Sequence, residues 1–408
     1  MKLLCTSDWH LGNRLMERSR HGEFAAFLEW LLDVMQQQGA EALLVSGDIF
    51  DNRDPGAPAL EAFSQFLSRA DSTGCRRVIM TAGNHDGVPV LEAVQPLLKR
   101  YGADLVYRLT VDTAADCLLP LCGADGEVAA LVCAIPFLRP AEVARRCSAG
   151  ESAQAYTLGV QDVLAAVAEH ARAWRAAHPG KPVICMAHMS VNGAEPTAST
   201  EQVYIGGVEI LPEGVFDSVF DYVALGHIHR GYSLSDKRLR YSGSPLPMGV
   251  DEAAYPHHVL LVEATAQGVS VQPIEVPVFT CYAAEHCATD EQLAALPQKL
   301  QQLSAAHGGA PVYLQLHYTG SGVADLGAWV SENLPATLVP HCRLSQHRSG
   351  SGVHELTDPA LDTLPTVQEV FERKLAAWQQ AGEPLSDEQL ATLRSLFATA
   401  YREADHED

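Results

Sequence analysis

The chain has 408 residues, 47% of them apolar, which is enough for about two to three globular domains. Its net charge of −22 argues against broad binding to nucleic acid by this chain alone, because such binding relies on Lys and Arg to displace counterions. No apolar run reaches the ~18 residues of a membrane span, and the stretch before Asp8 is too short for a signal peptide. Ten cysteines without a Cys-x-x-Cys pair indicate a reduced, cytoplasmic protein.

Five apolar runs along the chain each end in residues of metal-binding type. The runs begin near residues 2, 42, 78, 183 and 222, and continuous runs of this length are typical of strands buried on both faces. The polar residues that follow them are Asp8 and His10, then Asp48 and Asp51, then Asn84, His85 and Asp86, then His188, and finally His227 and His229. Helical periodicity over 24–35 and 60–67 predicts an α/β fold, in which strand ends line a common cleft.

Each fragment alone has an ordinary explanation. A single His after a strand is more often a hydrogen-bonded core or loop residue, and an Asp there is more often a helix cap or a turn residue. Five such fragments at the same place in a strand-to-loop unit make coincidence a poor explanation. Together they supply enough Asp, Asn and His for two adjacent divalent cations, an arrangement suited to cleaving phosphate esters.

The rest of the chain indicates further units. The core domain is predicted over 1–275, with Pro273 and Pro277 marking its end, followed by a small α+β domain over 278–345. In that domain we expect helices over 291–303 and 326–334 and strands over 312–316 and 337–344. After a linker over 347–352, two amphipathic helices lie within 360–408. Their pattern favours packing on their own body, and docking onto another chain is the alternative.

At this point the motifs resemble the calcineurin-like metallophosphoesterases. The longer strings, over 7–12, 47–51, 204–206, 224–230 and 241–245, are similar to those of the bacterial SbcD branch of that family. The resemblance implies two sheets flanked by helices, and a nuclease active on duplex ends, single strands and hairpins in DNA recombination, replication and repair. It also implies a homodimer within a heterotetramer with an SbcC-like SMC-family ATPase, at the nucleoid. The resemblance makes docking onto that ATPase the expected role of residues 360–408, and it makes the domain over 278–345 a capping, DNA-contacting unit. An ATPase partner would explain why Gly180-Lys181, followed by Pro182, is not part of a phosphate-binding loop.

The resemblance also assigns roles to the strand-end residues. It places one metal on Asp8, His10, Asp48 and His229, and the second on Asp48, Asn84, His188 and His227. It makes His85 the candidate general acid, with Asp86 and Asp51 as residues that orient it. Several archaeal and eukaryotic relatives carry a His where this chain has Asp51, which puts a second catalytic imidazole in doubt. Four imidazoles favour Mn²⁺ over Mg²⁺, with Fe²⁺ or Zn²⁺ as alternatives.

The resemblance further implies that helices over about 57–69 and 90–100 pack against a second copy, with Leu98 exposed on that face. Two other functions stay open at this point. One is a phosphodiesterase or phosphatase acting on small phosphoesters, which the ligand set alone does not distinguish from a nuclease. The other is a binding scaffold with an inactive site, which the complete set of expected ligands disfavours.

Overall fold

A computed structural model describes residues 1–15, 18–143, 152–191 and 210–346. The helices predicted within 360–408 and the linker predicted before them lie outside the described residues. The strands are β1 (Lys2–Thr6), β2 (Arg14–Leu15), β3 (Arg18–Ser19), β4 (Ala42–Ser46), β5 (Arg77–Thr81), β6 (Ala103–Val106), β7 (Leu118–Cys122), β8 (Val128–Ile135), β9 (Val183–His188), β10 (Tyr222–Gly226), β11 (Tyr232–Ser233), β12 (Leu239–Tyr241), β13 (His258–Thr265), β14 (Gly268–Glu275), β15 (Cys281–Cys287), β16 (Val312–Tyr318) and β17 (His341–Gln346). The helices are α1 (His21–Gln38), α2 (Ala57–Ala70), α3 (Val88–Leu98), α4 (Pro140–Val143), α5 (Ser152–Ala177), α6 (Asp290–Ala306) and α7 (Leu326–Asn333).

Two six-stranded sheets form the centre of the fold. Their strand orders are β14-β13-β1-β4-β5-β6 and β11-β12-β10-β9-β8-β7. One buried cluster contains side chains from both sheets, so the sheets pack face to face. Helices α1, α2 and α3 cover the outer face of the first sheet, and α5 covers the outer face of the second. The two sheets flanked by helices that the sequence predicted are therefore observed.

The burial of strand β4 explains why the sequence shows continuous apolar runs rather than alternating ones. Leu44 points into the cluster between the sheets, whereas Leu43 and Val45 point into the cluster beneath the helices. A strand covered on both faces needs apolar residues at every position. The same arrangement in β1 puts Leu3 on one side and Leu4 on the other.

The two sheets bring their carboxyl strand ends to one edge. Strands β1, β4 and β5 are parallel neighbours, and so are β9 and β10. Hydrogen bonds tie the two edges together: Ser46 Oγ donates to the Ala224 carbonyl at 3.1 Å, and the His227 amide donates to Asp8 Oδ1 at 3.0 Å. The residues that follow these strands are thereby held in one cleft.

A third sheet contains β15, β16 and β17, all parallel, with α6 and α7 between successive strands. It has a buried cluster of its own. The small α+β unit expected over 278–345 is thus built as a parallel βαβαβ unit. Its last strand begins at His341 rather than at the expected residue 337, and α6 begins earlier than expected, at a capping box between Thr289 and Gln292.

Three further observations bear on the sequence predictions. Pro273 lies inside edge strand β14, a position that tolerates the missing N–H, so the second proline, Pro277, is the one beyond the strand. Leu98 is 3% exposed and belongs to the core under the first sheet, so the expectation that it is exposed on a dimer face is wrong. None of the helices in the described part of the chain combines the length and apolar composition needed to cross a membrane.

Candidate metal centre

The loops at the shared sheet edge have an unusual backbone. Asp8, His10, Asp48 and His227 have φ values of +52°, +47°, +48° and +95°. Residues other than glycine rarely adopt positive φ values, and each residue held in this conformation costs on the order of 1–3 kcal/mol. Amide hydrogen bonds hold the conformation, from Asp8 to the Gly47 carbonyl and from His10 to the Asp48 carbonyl, each 3.0 Å long. All four strained residues are among those that the sequence predicted as metal ligands.

Two glycines allow the backbone to approach the site closely. A Cβ atom on Gly83 would lie 2.0 Å from Asp48 Oδ1, and one on Gly226 would lie 1.9 Å from the Ser46 carbonyl oxygen. Both positions therefore exclude any larger residue. These glycines let the loops after β5 and β10 lie directly against the loop after β4.

Potential ligand atoms form three overlapping groups, each with all its atoms within 4.8 Å of one another. The groups are Asp8 with His10 and His229, His10 with Asp48 and His85, and Asp48 with His188 and His227. Asp48 belongs to two of them. Its Oδ2 lies 3.6 Å from His10 Nε2 and 3.3 Å from His188 Nε2, which places this carboxylate between two sets of imidazoles.

Asn84 joins the group around His188 and His227. Its Oδ1 lies 3.0 Å from His188 Nε2 and 3.0 Å from His227 Nδ1. The other ring nitrogen of His188 lies 2.9 Å from the Ser46 carbonyl, which leaves Nε2 for the cleft. The structure therefore brings together all seven residues that the sequence predicted as ligands.

The donor set fits divalent cations. His10 Nε2 is buried and has no hydrogen-bond partner within the part of the chain that the structure describes, although it faces the Asp48 carboxylate. A buried imidazole nitrogen left without a partner is costly unless something binds it. Imidazoles mixed with carboxylate and amide oxygens suit first-row divalent metals.

The charges in the cleft perturb one another. Burial opposes the charged form of His10, but Asp51, Asp48 and Asp8 outweigh it and raise its pKa to about 9. Burial also opposes the charged form of His188, but Asp48 outweighs it and raises the pKa of this ring to about 9. Burial, helped by the neighbouring His188, lowers the pKa of His227 to about 3. Although burial also opposes ionisation of Asp48, His188, His10 and His85 hold the pKa of its carboxyl well below the usual range. The ionised carboxylate of Asp48 therefore holds protons on neighbouring imidazoles, and a metal cation would have to displace them.

The three predicted catalytic residues, His85, Asp51 and Asp86, make different contacts. His85 Nδ1 lies 2.8 Å from the backbone carbonyl of Asp51, so Asp51 orients this ring through its main chain. The carboxylate of Asp51 instead lies 3.5 Å from His10 Nδ1. The Asp86 carboxylate does not contact the His85 ring as we expected, because it accepts hydrogen bonds from the amides of Ile49, Phe50 and Gly83. Asp86 therefore ties the loops after β4 and β5 together.

One residue near the site was not identified from the sequence. Glu252 is fully buried, and its Oε1 lies 2.9 Å from His229 Nδ1. A carboxylate in this place fixes the orientation of a ligand imidazole and leaves Nε2 to face the metal. In the sequence Glu252 stands beside Asp251, and no pattern distinguishes it from a surface acid.

The chain is similar to known phosphoesterases and nucleases. Residues 1–231 match the family model described as calcineurin-like phosphoesterase. The chain is 31% identical over 417 residues to SbcD, a component of the nuclease SbcCD, of Escherichia coli strain K12, with 98% of this chain and 97% of that protein covered. It is 35% identical over 287 residues to the SbcD protein of Rhodobacter capsulatus, with 68% and 69% covered. A solved dimetal phosphatase from Danio rerio aligns with a TM-score of 0.36 and 11% identity, covering 66% of this chain and 98% of that one, which is too low to add to the fold described above.

Proposed function

The chain belongs to the calcineurin-like phosphoesterase family and is a metal-dependent, phosphoester-hydrolysing nuclease, and we propose that it cleaves DNA at a two-metal centre as part of a complex with an ATPase. One observation carries the proposal. Asp48 stands between two groups of ligand atoms supplied by two different sheets, 3.6 Å from His10 on one side and 3.3 Å from His188 on the other. A shared carboxylate between two imidazole clusters is what a pair of neighbouring cations requires.

The proposed ligand sets follow the observed groups. One cation would be held by Asp8, His10 and His229 together with Asp48, and the other by Asp48, His188 and His227 together with Asn84. The four imidazoles in these sets support Mn²⁺ as the natural metal ahead of Mg²⁺, with Fe²⁺ and Zn²⁺ as alternatives. When bound, two such cations supply positive charge that stabilises a phosphoryl transition state and lowers the pKa of water.

His85 is the proposed proton donor to the leaving oxygen. Its ring lies 4.8 Å from the ring of His10, beside the metal centre, and it is partly exposed to solvent. Because Nδ1 is directed at the Asp51 carbonyl, the ring is held in place and Nε2 is left for the substrate. General acid catalysis of this kind contributes about 10²–10⁴-fold to a rate. Asp51 and Asp86 support this chemistry by positioning the ring and the two loops.

The third sheet is proposed as a DNA-contacting unit, residues 278–345, next to a nuclease domain over 1–275. Its exposed face carries Gln315 and Arg343, and the rings of His286 and His317, whose centroids are 4.9 Å apart, lie further along the same face. Donors and rings of this type suit phosphates and bases. The net charge of −22 makes a basic partner necessary to hold a long duplex.

The proposed partner is an SbcC-like SMC-family ATPase. The E. coli relative is named as part of the nuclease SbcCD, and this chain covers 97% of it. We assign the docking segment to residues 360–408 and expect a homodimer of this chain within a heterotetramer, working at the nucleoid. The proposal extends to the processing of DNA ends in recombination, replication and repair.

A digestion assay tests the function directly. The full chain is incubated with Mn²⁺ and end-labelled duplex DNA, with and without the ATPase and ATP, and with a small chromogenic phosphodiester in parallel. We expect metal-dependent cleavage of DNA that the ATPase and ATP stimulate, and loss of nearly all cleavage in the Asp48→Asn variant. Hydrolysis of the small ester without cleavage of DNA would make the chain a small-molecule phosphodiesterase, and metal binding without any hydrolysis would make it a scaffold.

A further inference from the structure

A buried arginine connects the third sheet to the metal centre. Arg20 lies just before α1 and is 3% exposed. Its Nε donates to Glu23 Oε2 at 2.7 Å, and the hydroxyl of Tyr282, on the first strand of the third sheet, donates to the same oxygen at 2.7 Å. The guanidinium also lies over the Tyr282 ring, 5.4 Å from its centroid. The third sheet thus meets the catalytic core through a desolvated ion pair, in which each missing bond is costly.

The same guanidinium leads to His10. Arg20 Nη1 donates to Asn13 Oδ1 at 3.0 Å, and Asn13 Nδ2 donates to Asp51 Oδ1 at 2.9 Å. Asp51 Oδ1 then lies 3.5 Å from His10 Nδ1. The connection from Tyr282 to His10 therefore consists of polar contacts between side chains throughout.

A second branch leads to His229. Arg20 Nη1 also donates to Met248 Sδ at 3.9 Å, and the Met248 amide donates to Glu252 Oε2 at 2.8 Å. The other oxygen of Glu252 lies 2.9 Å from His229 Nδ1. Both branches end on histidines of the same group of ligand atoms, the one with Asp8. The group around Asn84, His188 and His227 lies outside both branches: His188 is held by Ser46 and Asn84. His227 is held by Asn84 and, through its backbone amide, by Asp8.

We propose that Arg20 is a positioning residue for one of the two cations, and that docking of the third sheet through Tyr282 sets the affinity of that cation alone. The inference rests on the proposed ligand sets. Its physical basis is that partners of ligand imidazoles fix ring orientation, and that their loss typically lowers metal affinity about 10–100-fold. A planar guanidinium bonds Glu23 and Asn13 at once, which a lysine ammonium does not reproduce.

The test is a Mn²⁺ titration of the metal-free full chain that resolves two binding events, by electron paramagnetic resonance of the free ion. We expect Arg20→Lys to weaken one event by about tenfold and leave the other unchanged. Tyr282→Phe keeps the ring and removes only the hydroxyl, and we expect it to weaken the same event by a smaller factor. The matched control is Tyr313→Phe: this ring lies 5.7 Å from Tyr282 and takes no part in the two branches.

The outcomes of this titration distinguish failure of the proposed role of Arg20 from failure of the proposed ligand sets. His10→Ala should abolish the event that Arg20→Lys weakens, and if it leaves both events intact the proposed ligand sets are wrong. If His10→Ala removes one event while Arg20→Lys and Tyr282→Phe bind as wild type does, only the role of Arg20 is overturned. Equal weakening of both events would also overturn it, because a general loosening of the fold has no site preference. Metal-free thermal melts report folding, and Tyr282→Phe decides the question if Arg20→Lys does not fold.

Discussion

Glu252 Oε1 lies 2.9 Å from His229 Nδ1, and both side chains are buried in the described structure. The carboxylate thereby selects which imidazole nitrogen is available to a metal. Its second oxygen accepts the Met248 amide at 2.8 Å, so the orientation of this carboxylate is itself fixed.

Replacing Glu252 should therefore disturb the metal centre without removing a ligand. We expect Glu252→Ala to lower the affinity for one Mn²⁺ by about 10–100-fold, because the His229 ring loses the partner that orients it. Calorimetric titration of the metal-free protein measures the change. The control is Glu275→Ala, an exposed acid on edge strand β14, which should bind both ions as wild type does. Unchanged affinity in Glu252→Ala would show that the His229 ring is held by other contacts.

Asp48 is the residue on which both proposed cations depend. Asp48→Asn removes the charge that faces His10 and His188, so we expect loss of most bound metal and nearly all cleavage. Metal content after dialysis and digestion of labelled DNA are the measurements. Asp33→Asn, on the exposed side of α1, makes the same chemical change outside the centre and should alter neither. Retention of two full ions by Asp48→Asn would rule out a bridging role.

His85 should separate metal binding from catalysis. We expect His85→Ala to keep both ions and DNA binding but to lose cleavage by about 10²–10⁴-fold, since the proton donor is absent and the proposed ligands are untouched. His170→Ala, on the exposed face of α5, is the matched control and should cleave normally. Because His85 also lies in a group with His10 and Asp48, release of a metal by His85→Ala would identify it as a ligand instead.

Metal binding should strengthen as the pH rises. The pKa values of His10 and His188 are raised to about 9 in the metal-free fold, so below that pH each cation must displace a proton from a ring. His227, with its pKa lowered to about 3, releases none. We expect about a tenfold gain in affinity for each cation per pH unit between pH 6.5 and 8.5, because each displaces about one proton. Mn²⁺ titration together with measured proton release checks it, and a flat profile would contradict it.

The raised pKa values of His10 and His188 should also make the metal-free protein less stable as the pH rises, whereas metal affinity increases. Since the folded pKa values lie above the ordinary value of 6.5, protonated His10 and His188 stabilise the fold fully below that pH. This contribution is lost as the pH rises through about 9. Metal-free thermal melts should therefore show a midpoint that falls over this range, less so in the His10→Ala variant.

The docking segment is tested by deletion. The described residues contain the proposed ligands and extensive buried clusters of their own, so we expect removal of 360–408 to leave a folded, metal-binding nuclease. It should still degrade short or single-stranded DNA with Mn²⁺ and lose binding to a coiled-coil fragment of the ATPase in a pull-down. Undiminished binding would place the contact elsewhere, and collapse of the protein would show that these helices belong to its core.

The sequence was most informative where a strand passes directly into a ligand. Asp48, for example, follows a strand covered on both faces, and that burial leaves a continuous apolar run that ends abruptly at a polar residue. The continuous apolar character of the run and the type of residue after it are both properties of the local sequence. For the same reason the five strands that lead into ligands were predictable, and so were the residues that now surround Asp48. Elements that carry no such residue, such as β6 to β8 and the long helix α5, were not identified.

Properties that depend on packing between distant segments were not predictable. The local sequence around Leu98 does not show whether its side chain faces solvent or the core. Only its place in the cluster under the first sheet shows that it is buried. Asp86 sits beside His85 in sequence, yet its carboxylate accepts hydrogen bonds from the amides of Ile49 and Phe50 in another loop. Sequence neighbours on a tight loop do not share a direction, because the backbone turns between them.

The sequence by itself determined which residue types end each strand and therefore that a centre for divalent cations exists. Only the tertiary structure decided that Glu252 orients His229 and that Arg20 contacts Tyr282 through Glu23. The physical reason is the range of the interactions. Hydrophobic periodicity is encoded within a few residues, whereas a buried hydrogen bond such as that from Tyr282 to Glu23 joins residues 259 positions apart and exists only once the sheets have packed.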